Sequence, residues 1–173
     1  MIIFLAGNIS SGKTALSLAF RDLHHEYRHF AIDDCRRQAQ GNESAAWALL
    51  WNQAADPRYP NAIVETSGLG WRIEHLLKDR RIIKKGLVRV LVECEMKTCL
   101  DRARTTQAER EQTPFPYDLG PVERNIAWMD SKLQELNADL YIPPGLTPAQ
   151  MALRLDYFIT QNSTESQPVG MVQ

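Results

Sequence analysis

The chain has 173 residues, 44% of them hydrophobic, with a formal net charge of -1 and a sequence pI of about 6.4. That is room for one domain around one core, and it supplies no global positive field, so any polyanionic partner would have to be held locally. Cys35, Cys94 and Cys99 are an odd number without a CxxC or Cys/His pattern, which argues for reduced thiols and against disulfides or a zinc site. No run approaches the ~18 apolar residues of a membrane span, and the apolar start lacks a basic leader.

In chain order, residues 1–6 form a short apolar run that reads as a buried first strand. Apolar runs at 30–33, 62–65, 87–93 and 140–142 repeat the pattern. Segments of helical period fall between or after them at 13–24, 44–55, 71–84, 97–111, 122–137 and 149–158. Pro121 and Pro148 fit first-turn helix positions. This alternation predicts a three-layer α/β domain over residues 1–160: a parallel five-stranded sheet with helices on both faces. Residues 113–120, TPFPYDLG, read as a lid or substrate-facing loop between two helices. Residues 161–173 are a polar tail with little that could pack.

The strongest motif is Gly7-Asn8-Ile9-Ser10-Ser11-Gly12-Lys13-Thr14, a GxxxxGK[ST] pattern placed immediately after a predicted strand and before a predicted helix. Such a loop turns its backbone N–H groups around a phosphate, which then rests on a helix N-terminus. Lys13 would reach the β- and γ-oxygens, and the Thr14 hydroxyl would ligate Mg²⁺. The expected fold is therefore that of the P-loop NTPases, with ATP and Mg²⁺ as cofactors.

The NKxD and DxxG elements of GTPases do not occur in the chain. Motor and helicase ATPases usually end the corresponding strand in Asp, whereas here the run Ala62-Ile63-Val64-Glu65-Thr66-Ser67-Gly68 carries Glu. What remains is the group of small-molecule and nucleotide kinases, enzymes whose acceptor is an alcohol. Ala31-Ile32-Asp33-Asp34-Cys35-Arg36-Arg37 places two carboxylates and two guanidiniums at the carboxyl end of a strand, where open α/β sheets hold their ligands. One carboxylate beside the acceptor hydroxyl can take its proton, and an Arg one turn away can hold an anionic part of the acceptor. The same acids could simply cap a helix. Glu65 with Thr66 and Ser67, at the third strand's carboxyl end, could hold a magnesium-bound water or orient the acceptor, or cap a helix. Arg102, Arg104 and Arg110 border the lid, where charge on the transferred phosphoryl group needs cations.

GNISSGKT, IDDCRRQ, VETSG, the helix CLDRAR and VERNIAWMDSKL together resemble the polynucleotide kinases and their relatives among P-loop acceptor-hydroxyl kinases. That resemblance implies Asp33 as general base, Arg36 as a contact to an acceptor phosphate, and Arg102 or Arg104 as the lid arginine. In size and motif order the chain is also similar to phage kinases that phosphorylate the hydroxymethyl group of a modified pyrimidine, such as 5-hydroxymethyluracil, in DNA. The expected acceptor is thus DNA or a nucleotide, with the cytoplasm of a bacterium or an infected host as setting and no membrane or obligate protein partner. A kinase of a free nucleoside, sugar or antibiotic is the alternative, and a nucleotide-binding regulatory ATPase a second.

Other features have bland readings beside their functional ones. Trp47, Trp51 and Tyr59 could stack an unpaired base or pack a helix. The basic stretch 78–85 could touch a nucleic-acid backbone, but such charges also suit a helix C-terminus. His24, His25 and His29 lack a metal pattern and read as structural. Trp71 and Arg72 could flank the acceptor.

Overall fold

The computed structural model describes residues 1–110 and 122–164. Strand β1 (Ile2–Gly7) is buried along its whole length. Ile2, Phe4 and Ala6 belong to one core layer, Ile3 and Leu5 to the other. A strand covered on both faces needs no polar side, which is why this segment is an unbroken apolar run.

Around it assemble β2 (Arg28–Ala31), β3 (Ala62–Glu65), β4 (Leu87–Val92) and β5 (Leu140–Ile142). All pairings are parallel and the strand order is β2-β3-β1-β4-β5. One face is covered by α1 (Lys13–Leu23) and α8 (Pro148–Thr164), through Leu16, Phe20, Met151, Ala152 and Leu155. The other takes α3 (Glu43–Ala55), α4 (Trp71–Lys78), α5 (Arg80–Ile83) and α7 (Val122–Leu133), through Leu50, Leu76, Ile82 and Leu133. Each large aliphatic side chain sealed this way contributes about 1.5–3 kcal/mol. A third, smaller cluster of Cys99, Ala103 and Ile126 joins α6 (Met96–Arg110) to α7. The three-layer α/β architecture is that expected of a P-loop NTPase.

Several elements differ from the sequence reading. The second strand, expected at 30–33, ends at Ala31, the last residue in register with β3 through Ala31↔Glu65. Ile32 opens a helix, α2 (Ile32–Gln38), whose first turn holds Asp33 and Asp34; the positive end of a helix favours carboxylates there. The helix expected at 71–84 is two pieces, because the Asp79 carboxylate accepts the Arg81 N–H at 2.8 Å and starts a new helix. The helix expected at 122–137 stops at Leu133; beyond it Tyr141 accepts the Ala138 N–H and donates to the Leu136 carbonyl. Helix α8 starts at Pro148 under a capping box, Thr147 Oγ1 accepting the Gln150 N–H while Gln150 Oε1 accepts the Thr147 N–H. It runs to Thr164, four residues into the expected tail. The 113–120 loop, Pro121 and the side chain of Arg110 lie outside the described residues. No helix among the described residues is long and apolar enough to cross a membrane.

Candidate active site

The carboxyl ends of parallel strands gather along one edge of the sheet, and a cleft of about 1320 Å³ opens there. The residues from Gly7 to Thr14 line its floor. Gly7 (φ +154°) and Gly12 (φ +102°) adopt backbone that side chains disfavour, and Ser10 is left-handed at φ +59°. A Cβ on Gly7 would stand 2.7 Å from the Val92 carbonyl oxygen and 2.7 Å from Ser11 Oγ, so only glycine lets the loop leave β1 at this point. Asn8, 2% exposed, braces the turn: its Oδ1 accepts the Ile9 N–H at 2.8 Å and its Nδ2 donates to the Ile126 carbonyl at 3.0 Å. Gly12 then begins α1 with no side-chain cap, leaving first-turn N–H groups for an anion.

Two polar groups in this loop are under-satisfied in the way a phosphate would correct. Ser11 Oγ is buried with no hydrogen-bond partner among the described residues. The Lys13 ammonium folds back onto the Gly7 and Asn8 carbonyl oxygens at 3.1 and 2.7 Å. Burial lowers its pKa, opposed by the nearby Glu65 and Asp33 carboxylates. A triphosphate would give this buried cation the anionic partner that two neutral carbonyls replace poorly.

Thr14 Oγ1 donates to Glu65 Oε1 at 2.7 Å, and Glu65 Oε2 stands 2.8 Å from His29 Nε2. Glu65 is 8% exposed, so this link joins the loop to the ends of β3 and β2 in a sheltered place. These hard oxygen donors suit Mg²⁺, which keeps waters and phosphate oxygens around it. No group of three or more His, Cys, Asp or Glu among the described residues could hold a metal by itself. An ion at Thr14 and Glu65 would therefore rely on a nucleotide. Thr66, 2% exposed, turns the chain by accepting the Gly68 N–H at 2.9 Å.

Opposite the loop, α2 carries Asp33 and Arg36 into the cleft. Arg36 NH1 donates to Asp33 Oδ1 at 3.0 Å, while its Nε and NH2 donate to the two oxygens of Glu43 at 2.9 and 2.7 Å. Trp47 Nε1 donates to the same Glu43 at 2.7 Å. The hydrogen bond from Arg36 is the main reason the Glu43 carboxyl lies below its usual range, and Arg72 adds to the field. Asp34 is not on the cleft wall; it pairs with Arg37 on the exposed side of α2. Arg72 is also off the wall, its guanidinium 4.7 Å from the Trp71 ring centroid.

Of the lid arginines, Arg102 faces the loop, NH1 donating to the Ser10 carbonyl at 3.3 Å. Arg104 turns outward on α6, 3.6 Å from Glu123 and 3.8 Å from Asp101. The structure thus brings together Lys13, Thr14, Asp33, Arg36, Glu65, Thr66 and Arg102, and leaves Asp34, Arg72 and Arg104 outside.

Sequence reasoning missed three contributors. His29 reads as structural, yet it holds the far oxygen of Glu65. Glu43 carries no local sign of its tie to Arg36, seven residues earlier. Pro143, Pro144 and Leu146, from the run PPGLTP whose composition marks a turn, build with Met151 of α8 an apolar end of the cleft beside the phosphate loop. Several of the other residues singled out in the sequence make packing or local polar contacts. Trp51 donates to Asp79 at 3.1 Å, and Tyr59 meets Phe30 edge to face. Lys85 donates to the carbonyls of Ala54, Asp56 and Tyr59. His24 contacts Asp156 at 2.8 Å.

The chain has an α/β P-loop NTPase fold. No model of a known protein family matches its sequence, and no curated protein does either; the likeness is to solved structures. Shikimate kinase from Acinetobacter baumannii superposes with a TM-score of 0.66 at 15% identity, covering 93% of each chain. The APS kinase CysC of Mycobacterium tuberculosis gives 0.61 at 12% identity, over 92% of this chain and 96% of its own. A gluconokinase from Sinorhizobium meliloti gives 0.55 at 16% identity, over 95% and 97%. At such identities the likeness is one of fold.

Proposed function

We propose that this protein is an ATP-dependent kinase that transfers the γ-phosphoryl group to a hydroxyl of a small-molecule acceptor. The observation that carries the reading is one cleft holding a phosphate loop with a buried, poorly partnered Lys13 on one side and the Asp33 carboxylate on the other. The solved structures of like fold include kinases named for shikimate, APS and gluconate, which fits such an acceptor.

In this reading the loop amides and Lys13 receive the phosphates, and the adenine lies toward Pro143, Leu146 and Met151. Thr14 and Glu65 would hold Mg²⁺, which would neutralise phosphate charge when bound. The acceptor hydroxyl gives its proton to Asp33 as its oxygen attacks the γ-phosphorus in line with the departing ADP. Lys13 and Arg102 face the charge that builds on the equatorial oxygens. The account asks little covalent chemistry of the protein and a great deal of placement.

The charge of the cleft favours the small-molecule reading. Asp33, Glu43, Glu65, Glu93, Glu95 and Asp101 line the cleft against Lys13, Arg36 and Arg102, an excess of carboxylates that disfavours a polyanion track. A nucleic-acid acceptor, including a hydroxymethylated pyrimidine in DNA, is the second reading. Its support is Trp128, which lines the cleft yet is 57% exposed and could stack an unpaired base.

Labelled ATP incubated with sugars, polyols, nucleosides, nucleotides and hydroxymethyluracil-containing DNA separates the two. Asp33→Asn should lower transfer by about 10²–10⁴ while leaving nucleotide affinity unchanged. Full turnover in that variant would remove Asp33 as the base. Nucleotide-dependent protein capture with no phosphorylated product from any acceptor would favour a regulatory ATPase.

A further inference from the structure

The acceptor side of the cleft carries an arginine of the kind that would normally grip an anion, but its fork is taken. Two of the Arg36 hydrogen bonds go to both oxygens of Glu43, a third to Asp33. This is the bidentate geometry by which guanidinium holds carboxylate most firmly. Glu43 is itself fixed by the Trp47 N–H at 2.7 Å, from an indole only 7% exposed. Asn42 caps α3 at the adjacent position, accepting the Ala45 N–H at 3.1 Å. The glutamate therefore stands on a rigid first turn and not on a swinging loop.

Counted as a unit, Asp33, Arg36 and Glu43 carry two negative charges and one positive. A phosphate or carboxylate approaching Arg36 would have to compete with Glu43, whose side chain is 43% exposed, for the same bidentate fork, within a cleft already rich in acids. A hydroxyl or amide N–H meets no such penalty and can donate to Glu43 or Asp33.

Resting on the kinase reading above, we infer that Glu43 is a specificity-determining residue. It occupies Arg36, so that the part of the acceptor next to the reacting hydroxyl must be uncharged, and Arg36 serves to position Asp33 instead of binding an acceptor phosphate. The group recognised there is a hydroxyl- or amide-bearing moiety, as in a polyol, a nucleoside sugar or a pyrimidine ring. Acceptors with an anion at that position are turned away.

The test follows the Arg36 Nε–H resonance of ¹⁵N-labelled protein, saturated with Mg²⁺ and a non-hydrolysable ATP analogue, during titration with inorganic phosphate. The wild-type signal should stay in place through millimolar phosphate. In Glu43→Gln, which keeps the shape and removes the charge, it should move in a saturable way, with phosphate bound at least about tenfold more tightly. A wild-type signal that moves saturably below millimolar phosphate, or that shifts as readily as the variant's, overturns the inference; the first criterion needs the wild type alone if the variant folds poorly. Calorimetry of the ATP analogue is run in parallel. Failure to bind it removes the kinase reading but leaves the phosphate titration, repeated without nucleotide, to judge Glu43.

Discussion

Replacing Gly7 by alanine strikes the phosphate loop where the structure has least room to yield. The new Cβ would stand 2.7 Å from Ser11 Oγ, which can rotate away, and 2.7 Å from the Val92 carbonyl, which cannot. That carbonyl belongs to β4, in parallel register with Gly7 itself. Crowding of this kind costs about 1–3 kcal/mol, and a residue held at φ +154° adds about 1–3 kcal/mol of backbone strain. The expected loss is about 2–6 kcal/mol, a fall in Tm of roughly 5–20 °C for a chain of this size. Gly86 supplies the control, since its φ is +80° but a Cβ there meets nothing within 4 Å. Thermal unfolding followed by circular dichroism should rank wild type, Gly86→Ala and Gly7→Ala in falling order. In Gly7→Ala the affinity for ATP should fall as well, because the displaced loop misplaces its amides. Equal Tm values for the two alanine variants would refute the crowding argument.

Glu65→Ala should destabilise the protein by about 1–3 kcal/mol in urea denaturation, because it strips the sheltered His29 ring of its partner and frees the exposed Thr14 hydroxyl. It should also weaken the magnesium dependence of nucleotide binding. Arg102→Ala should lower turnover by about 10²–10³, as loss of a group facing transition-state charge does. Arg104→Ala, whose ion pairs with Asp101 and Glu123 are exposed, should change turnover by less than about threefold; steady-state kinetics on the two variants compares them. Burial, with help from Asp34, pushes the Cys35 thiol from 9.0 up to about 11. A raised folded-state pKa means a stabilising contribution that is complete below 9.0 and lost as pH climbs through about 11. Stability measured across that range should therefore fall less steeply in Cys35→Ala than in wild type, and Cys35 should resist thiol reagents at neutral pH.

The architecture was legible because a sheet buried on both faces leaves a plain mark. Runs such as 62–65, apolar at Ala62, Ile63 and Val64 and then polar, could be little else than interior strands. The phosphate loop was legible because its geometry demands Gly7, Gly12 and Lys13 at fixed spacing. What escaped was anything decided by side chains far apart in sequence. The end of β2 depended on where pairing with β3 stopped, and Ile32, an apolar residue with good strand propensity, gives no sign that it opens a helix. Arg102 and Arg104 are indistinguishable by composition; only the direction of α6 turns one toward Ser10 and the other toward Glu123. His29 and Glu43 act through partners 36 and 7 residues away, and a single sequence offers no way to see those pairs.

Isothermal titration of the folded protein with ATP in the presence of Mg²⁺ tests the central claim most directly. The account predicts saturable binding of one nucleotide per chain, abolished in Lys13→Met without a change in fold. Absence of any binding heat for ATP and GTP alike, in protein whose circular dichroism shows native structure, would contradict it.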